Sequence, residues 1–151
     1  MIDPDTLAAY EVGADTYAAR ATRPAAERAA ALLARRPDDR RTDPVLDVGC
    51  GTGRDLDVLG PTAIGLDPSP AMLARARAAA PGAPLVRAAA GALPVRPGAG
   101  GAGWASKSLQ HLAPVDLPLA LADLHRSLAV GAPMGLSLFA GEGTVTSGVD
   151  D

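Results

Sequence analysis

The sequence predicts one α/β domain built on a parallel sheet. Short apolar runs alternate with helical patterns from Val45 to Phe139, and a glycine-rich turn follows the first of those runs. The length of 151 residues supplies one core and is too short for two comfortable ones.

Taken in order, residues 6–21 and 23–36 are predicted as helices. The second, PAAERAAALLARR, has Pro24 in its first turn, Glu27 early and Arg35 and Arg36 at its end. That polarity suits the helix dipole, and Ala25, Ala29, Leu32 and Leu33 form its apolar stripe. The stretch ARRPDDRR brings Arg35, Arg36, Arg40 and Arg41 close together with Asp38 and Asp39 among them and is expected to be solvated, and residues 37–43 are a polar turn into the first strand. PVLDVG is the first strand and TAIGLD the second. SPAMLARARAAAPG is a helix with Ser69 as cap and Pro70 at its first position. APLVRA is a third strand, and GAGWAS a weak fourth, since Gly101 and Gly103 bring no side chains to pack. VDLPLALADLHRSLAVG is a helix with Leu117, Leu121, Leu124 and Leu128 on one face, and PMGLSLF is the fifth strand. The low-complexity stretch 94–103, PVRPGAGGAG, reads as a loose loop.

Bulk properties narrow the function. A net charge of −3 removes the simplest electrostatic case for a nucleic-acid binder. No apolar run approaches the roughly 20 residues of a membrane span, and the amino terminus has no signal-peptide pattern. The single cysteine, Cys50, excludes an internal disulfide and a multi-cysteine zinc site. The expectation is a cytoplasmic protein without a metal. Aromatic residues are only 3% of the chain, so its core should be thin.

The chemistry-bearing stretch is VLDVGCGTGRDL, residues 45–56, with Gly49, Gly51 and Gly53 at alternate positions. Glycine lets the chain bend sharply out of a strand while its backbone approaches a ligand. A helix starting near Gly53 would then offer unpaired N–H groups to an anion. The dinucleotide pattern G-x-G-x-x-G is not completed, because Arg54 stands where its third glycine would be. Asp67 ends the second strand in IGLDPSP. A carboxylate there can accept hydrogen bonds from a ribose diol, or it can simply open the turn that follows.

Together, VLDVGCGTGRDL and GLDPSPAML closely resemble the class I S-adenosylmethionine-dependent methyltransferases. The resemblance runs from about Val45 to Phe139 and takes in LVRAAAGALPV, WASKSLQHL and LADLHRSLAVGAPMGLSLF in the family's order. It implies a Rossmann-like, doubly wound, mostly parallel sheet in a single domain. Residues 1–42 would be a helical lid, 43–140 the cofactor-binding core and 141–151 a short tail. The implied cofactor is S-adenosylmethionine, leaving as S-adenosylhomocysteine. Asp47 would help hold the methionine moiety, with Gly49, Cys50, Gly51 and Gly53 forming the loop against it. Arg54 would reach the methionine carboxylate, Asp67 the ribose hydroxyls, and Pro68 and Met72 would flank the adenine. Tyr10 and Tyr17 resemble a lid over the cofactor. His111, in SLQHL, is the candidate general base, with packing of the pocket as its other reading.

The chain departs from the family in three places. Ala89 stands where an Asp usually meets the adenine amino group. Gly100, Gly101 and Gly103 deplete strand four. The sequence given ends about a dozen residues after strand five, where the family continues with a helix and an antiparallel hairpin. The expectation is therefore a sheet without that hairpin and an exposed edge at strand five. A homodimer or partner chain would pair across Pro133 to Ala140. The implied reaction is methyl transfer to a small-molecule acceptor. The alternative is a non-catalytic S-adenosylmethionine-binding subunit that pairs with a partner.

Overall fold

Val45, Leu46 and Val48 form a short run buried on both faces, and a strand buried on both faces belongs at the middle of a parallel sheet. The computed structural model, which describes residues 4–19 and 25–140, places it there. The strands are β1 (Val45–Val48), β2 (Ala63–Asp67), β3 (Leu85–Arg87), β4 (Ala102–Ser106) and β5 (Met134–Ser137). Their order across the sheet is β3-β2-β1-β4-β5, and every pairing among the described residues is parallel. The helices are α1 (Pro4–Ala19), α2 (Ala26–Leu33), α3 (Leu56–Leu59), α4 (Pro70–Ala79) and α5 (Leu117–Ser127). Short 3-10 turns cover Asp38–Arg40 and Leu109–His111. None of these helices is long and apolar enough to cross a membrane.

Alternation along β1 divides the interior in two. Val45 points into a cluster with Ala29 and Leu32 of α2, Leu56 and Leu59 of α3, and Trp104 of β4. Leu46 and Val48 point into the other, with Leu66, Leu93, Leu109 and Leu124 of α5. The expected stripe of α2 is therefore the packed one: Ala29 and Leu32 are buried, and Ala25 and Leu33 lie against the same cluster. At α4, Ser69 Oγ accepts from Met72 N at 3.1 Å and Pro70 opens the helix, as its sequence predicts.

Five sequence expectations change. The helix after the glycine turn is one turn long and begins at Leu56, not near Gly53. Strand β4 is a full five-residue strand between β1 and β5. Its missing side chains are compensated by a neighbour: Gly135 of β5 has no Cβ, and one there would lie 2.5 Å from the Trp104 ring, so the indole packs across the sheet. Of the predicted α5 stripe, Leu124 is buried and Leu117 and Leu128 pack against the same cluster, but Leu121 is 43% exposed and the buried face is completed by Ala120, Asp123 and Ser127. Asp123 is inward because its carboxylate accepts Leu93 N at 2.7 Å, and it holds the Arg126 guanidinium, which in turn donates to the Leu93 and Val95 carbonyls. Residues 94–103 are accordingly not loose, since Gly98 N and Gly100 N also bond the carbonyls of Arg126 and Ser127. Finally, Arg36 is buried rather than solvated and donates to the carbonyls of Arg40 and Asp43. Arg40 and Arg41 remain at the surface, paired with Asp43 and Asp38.

One buried acid ties the α2 side together. Asp55 Oδ2 accepts the Trp104 indole N–H at 3.1 Å, and Oδ1 accepts Ala25 N and Arg54 Nε, each at 3.3 Å. The N-cap N–H of α2, the glycine-turn exit and the central sheet thus share one carboxylate. Asp55→Ala should leave the indole and the Ala25 N–H unpaired and lower stability by about 2–4 kcal/mol. Asp55→Asn, which keeps an acceptor oxygen, should lose less than half as much. Urea unfolding followed by Trp104 fluorescence checks both.

Candidate functional site

Where β1 ends, the chain passes through Gly49, Gly51 and Gly53 with φ of 73°, 53° and 77°, conformations that L side chains rarely adopt. The turn lies against β2, since Gly49 N and Cys50 N donate to Leu66 O at 2.7 and 3.1 Å. From the other side Ser108, just beyond β4, donates its hydroxyl to Val48 O at 2.7 Å. A Cβ at Gly49 would collide with the Ser108 side chain, so the glycine is required by space as well as by φ.

Asp67 fastens this turn to the next loop. Its Oδ2 accepts Gly51 N at 2.8 Å and its Oδ1 accepts Ser69 N at 2.9 Å. Burial pushes its pKa up, and the two backbone bonds pull it back. A carboxylate offers about four lone-pair positions, and these bonds use two, so both oxygens retain acceptor capacity toward the pocket. Both sequence readings of Asp67, opener of a turn and acceptor beside a ligand site, are therefore compatible in one residue.

Asp47 lies one layer deeper, between Gly65 and Trp104 in the sheet register and 3% exposed. Its carboxyl is pushed well above the usual range, first by burial and then by Asp55 and Asp67, with Arg54 opposing. Cys50 is buried too. Burial, and then Asp47 and Asp67, push its thiol pKa far up, which fits a spacer and not a nucleophile.

The pocket opens at the carboxyl ends of β1, β2 and β4. One wall holds Gly49, Gly51, Asp67, Pro68, Met72 and Ala89, all singled out by the sequence. The facing wall holds Tyr10 of α1 with Ser106, Lys107 and Ser108, and also His111. Tyr10 and His111 meet edge-on, ring centres 5.2 Å apart, with Tyr10 Oη 2.8 Å from His111 Nε2. Burial lowers the His111 pKa, and a hydrogen bond with the Lys107 backbone opposes that shift. The imidazole is thereby held neutral near pH 7.

Asp47, Cys50, Gly53 and Arg54 support the turn but do not line the pocket. Arg54 instead meets Asp55 at 3.3 Å. The side chain of Tyr17 lies outside the described residues. Sequence reasoning missed Lys107 and the Ser106–Ser108 stretch as wall residues. Their position directly after β4 was the available signal, because ligands of open α/β sheets sit beyond the carboxyl ends of strands.

The family described as a methyltransferase domain matches residues 45–131. Among solved structures, an S-adenosylmethionine-bound amino pentose methyltransferase from Micromonospora echinaspora, involved in calicheamicin biosynthesis, is 30% identical with a TM-score of 0.62. The match covers 78% of this chain and 52% of that one. A sugar N-methyltransferase from Streptoalloteichus is 29% identical with a TM-score of 0.59, covering 71% and 44%. A chain in the Haloferax volcanii complex of a methyltransferase with the Trm112 methyltransferase activator is 25% identical with a TM-score of 0.62, covering 83% and 55%. This chain spans about half the length of these relatives. Comparison with curated proteins gives no match. The matched segment holds all five parallel strands but the last, together with the glycine turn and Asp67, and on that ground the chain belongs to the methyltransferase domain family, in its class I S-adenosylmethionine-dependent form.

Proposed function

We propose that the pocket at the ends of β1, β2 and β4 holds S-adenosylmethionine and that the chain directs its methyl group to a small-molecule acceptor. The observation that carries the reading is Asp67: a buried carboxylate locked by Gly51 N and Ser69 N, with lone pairs left for a diol. Met72 and Pro68 supply the apolar flank for an adenine, and Ala89 lies at its edge without the carboxylate of the family pattern. Gly49 and Gly51 bring bare backbone to the wall where a methionine chain would run. Asp47, beneath them, is buried and favours its neutral form, so it supports the same segment without adding charge.

When bound, the cofactor supplies a methyl carbon activated by a sulfonium leaving group. The protein's share is alignment and exclusion of water. Tyr10 and His111 close the pocket across 101 positions of sequence. A neutral His111 is in the protonation state needed to accept a proton from an acceptor's heteroatom. The small-molecule class is supported by the net charge of −3, which does not favour nucleic acid, and by the sugar and amino pentose methyltransferases among the similar structures. The single buried cysteine supports a cytoplasmic setting. A second copy or a partner chain across 133–140 is supported by the exposed Leu136, Leu138 and Phe139 on the β5 edge.

Calorimetry with S-adenosylhomocysteine checks the cofactor assignment. Wild type should bind, and Asp67→Ala should bind roughly ten- to a hundredfold more weakly, the cost of hydrogen bonds to a charged acceptor. A folded wild type that gives no heat at millimolar ligand would refute the assignment.

The lowered His111 pKa also sets a pH dependence. Unfolded chains take up a proton near the ordinary His value of 6.5, while the folded protein resists it. Stability contributed by neutral His111 is thus present above about pH 6.5 and is lost as pH falls through it. Unfolding midpoints measured from pH 7.5 to 5 should decline more steeply for wild type than for His111→Gln. Parallel slopes for the two proteins would mean that His111 is not held neutral.

A further inference from the structure

We propose that Lys107 supplies the cation that holds the carboxylate of the methionine moiety, the role that the family resemblance gives to Arg54. This rests on the cofactor assignment above and goes beyond it. Asp67 is the acidic and Lys107 the lysine or arginine side chain on the described pocket wall. They stand at the carboxyl ends of β2 and β4, with β1 between, so two strand spacings of about 10 Å in all separate them. That arrangement suits a ligand carrying a diol at one end and a carboxylate at the other.

The local backbone places Lys107 beside the glycine turn. Its N–H donates to Ser137 O at 2.8 Å, and its φ of 56° makes it the described non-glycine residue in the left-handed region. The next residue, Ser108, is the one packed against Gly49. Lys107 is consequently adjacent to the segment over which the methionine chain would lie. Its ammonium sits 4.8 Å over the ring of Phe139, a residue 68% exposed. No carboxylate of the described residues lies within ion-pair distance of it. A cation–π contact at an exposed ring is weak, and the four-carbon stem is flexible, so an arriving carboxylate displaces that contact at little cost. Arg54 is differently placed: it is off the pocket wall and its guanidinium already meets the buried Asp55.

The test compares two ligands that differ in the amino-acid end. S-adenosylhomocysteine carries the carboxylate, and 5′-methylthioadenosine keeps adenine, ribose and sulfur without it. Calorimetry on wild type, Lys107→Met, Lys107→Arg and Arg54→Met, each checked by circular dichroism, gives the affinities. Lys107→Met should weaken S-adenosylhomocysteine roughly tenfold or more, leave methylthioadenosine within twofold, and be largely rescued by Lys107→Arg. Unchanged S-adenosylhomocysteine affinity in Lys107→Met would overturn the proposal, as would an equal loss for both ligands. If only Arg54→Met shows the selective loss, the carboxylate belongs to Arg54. A wild type that binds neither ligand refutes the cofactor assignment itself, which separates that failure from the failure of Lys107.

Discussion

Three carboxylates lie beneath one turn, and the architecture of the site is the way the chain accommodates them. Asp47, Asp55 and Asp67 are each less than 10% exposed, and burying like charges together is costly unless each finds a partner or keeps its proton. Asp55 takes the Trp104 indole, Ala25 N and Arg54. Asp67 takes Gly51 N and Ser69 N, which obliges the turn and the β2–α4 loop to stay in register. Asp47 has its carboxyl pushed upward first by burial and then by the other two, and so favours the neutral form. Remove any one of these arrangements and the glycine turn loses either its anchor or its floor.

That acidic floor also bears on what the pocket prefers. A sulfonium and an amino group are both cationic, and the Asp67 carboxylate bonded to Gly51 N favours them over a neutral thioether. The lining also carries Lys107, just beyond β4, so an acidic and a basic side chain both border the pocket. A ligand carrying positive charge toward the β1 turn and a carboxylate toward β4 is oriented before any close contact forms.

Legibility in the sequence followed the range of the interactions. Strands β1 and β2 could be read because each is a continuous apolar run closed by Gly or Asp, and Asp67 stood out as the acid closing one of them. The Ser69–Pro70 start of α4 is local and was visible in two residues. The buried face of α5 was visible only in part: Leu117, Leu124 and Leu128 pack as their stripe predicts, but an inward Asp and Ser leave no mark in a hydrophobic pattern. Asp123 and Ser127 are inside for the hydrogen bonds they make to a distant loop and to the helix itself. The pairing of Gly49 with Ser108 and of Tyr10 with His111 spans 59 and 101 positions, and no periodicity encodes it. Strand β4 looked weak because its cross-strand filling, the Trp104 ring over Gly135, belongs to two strands at once.

The loop from Leu93 to Gly101 shows where such information is stored. Its hydrogen bonds with α5 run through its own backbone: Leu93 N and O, Val95 O, Gly98 N and Gly100 N are the groups engaged. Their partners, the Asp123 and Arg126 side chains and the carbonyls of Arg126 and Ser127, lie some thirty residues downstream. The loop's shape is therefore written partly in the helix, and its own glycines supply the rest: Gly98 has a φ of 71°, and a Cβ at Gly100 or Gly101 would press on Leu46 and Leu128 or on the Arg40 carbonyl. A stretch that looks like compositional noise is in this sense a mould's cast, and a change at Asp123 would reshape it from thirty residues away.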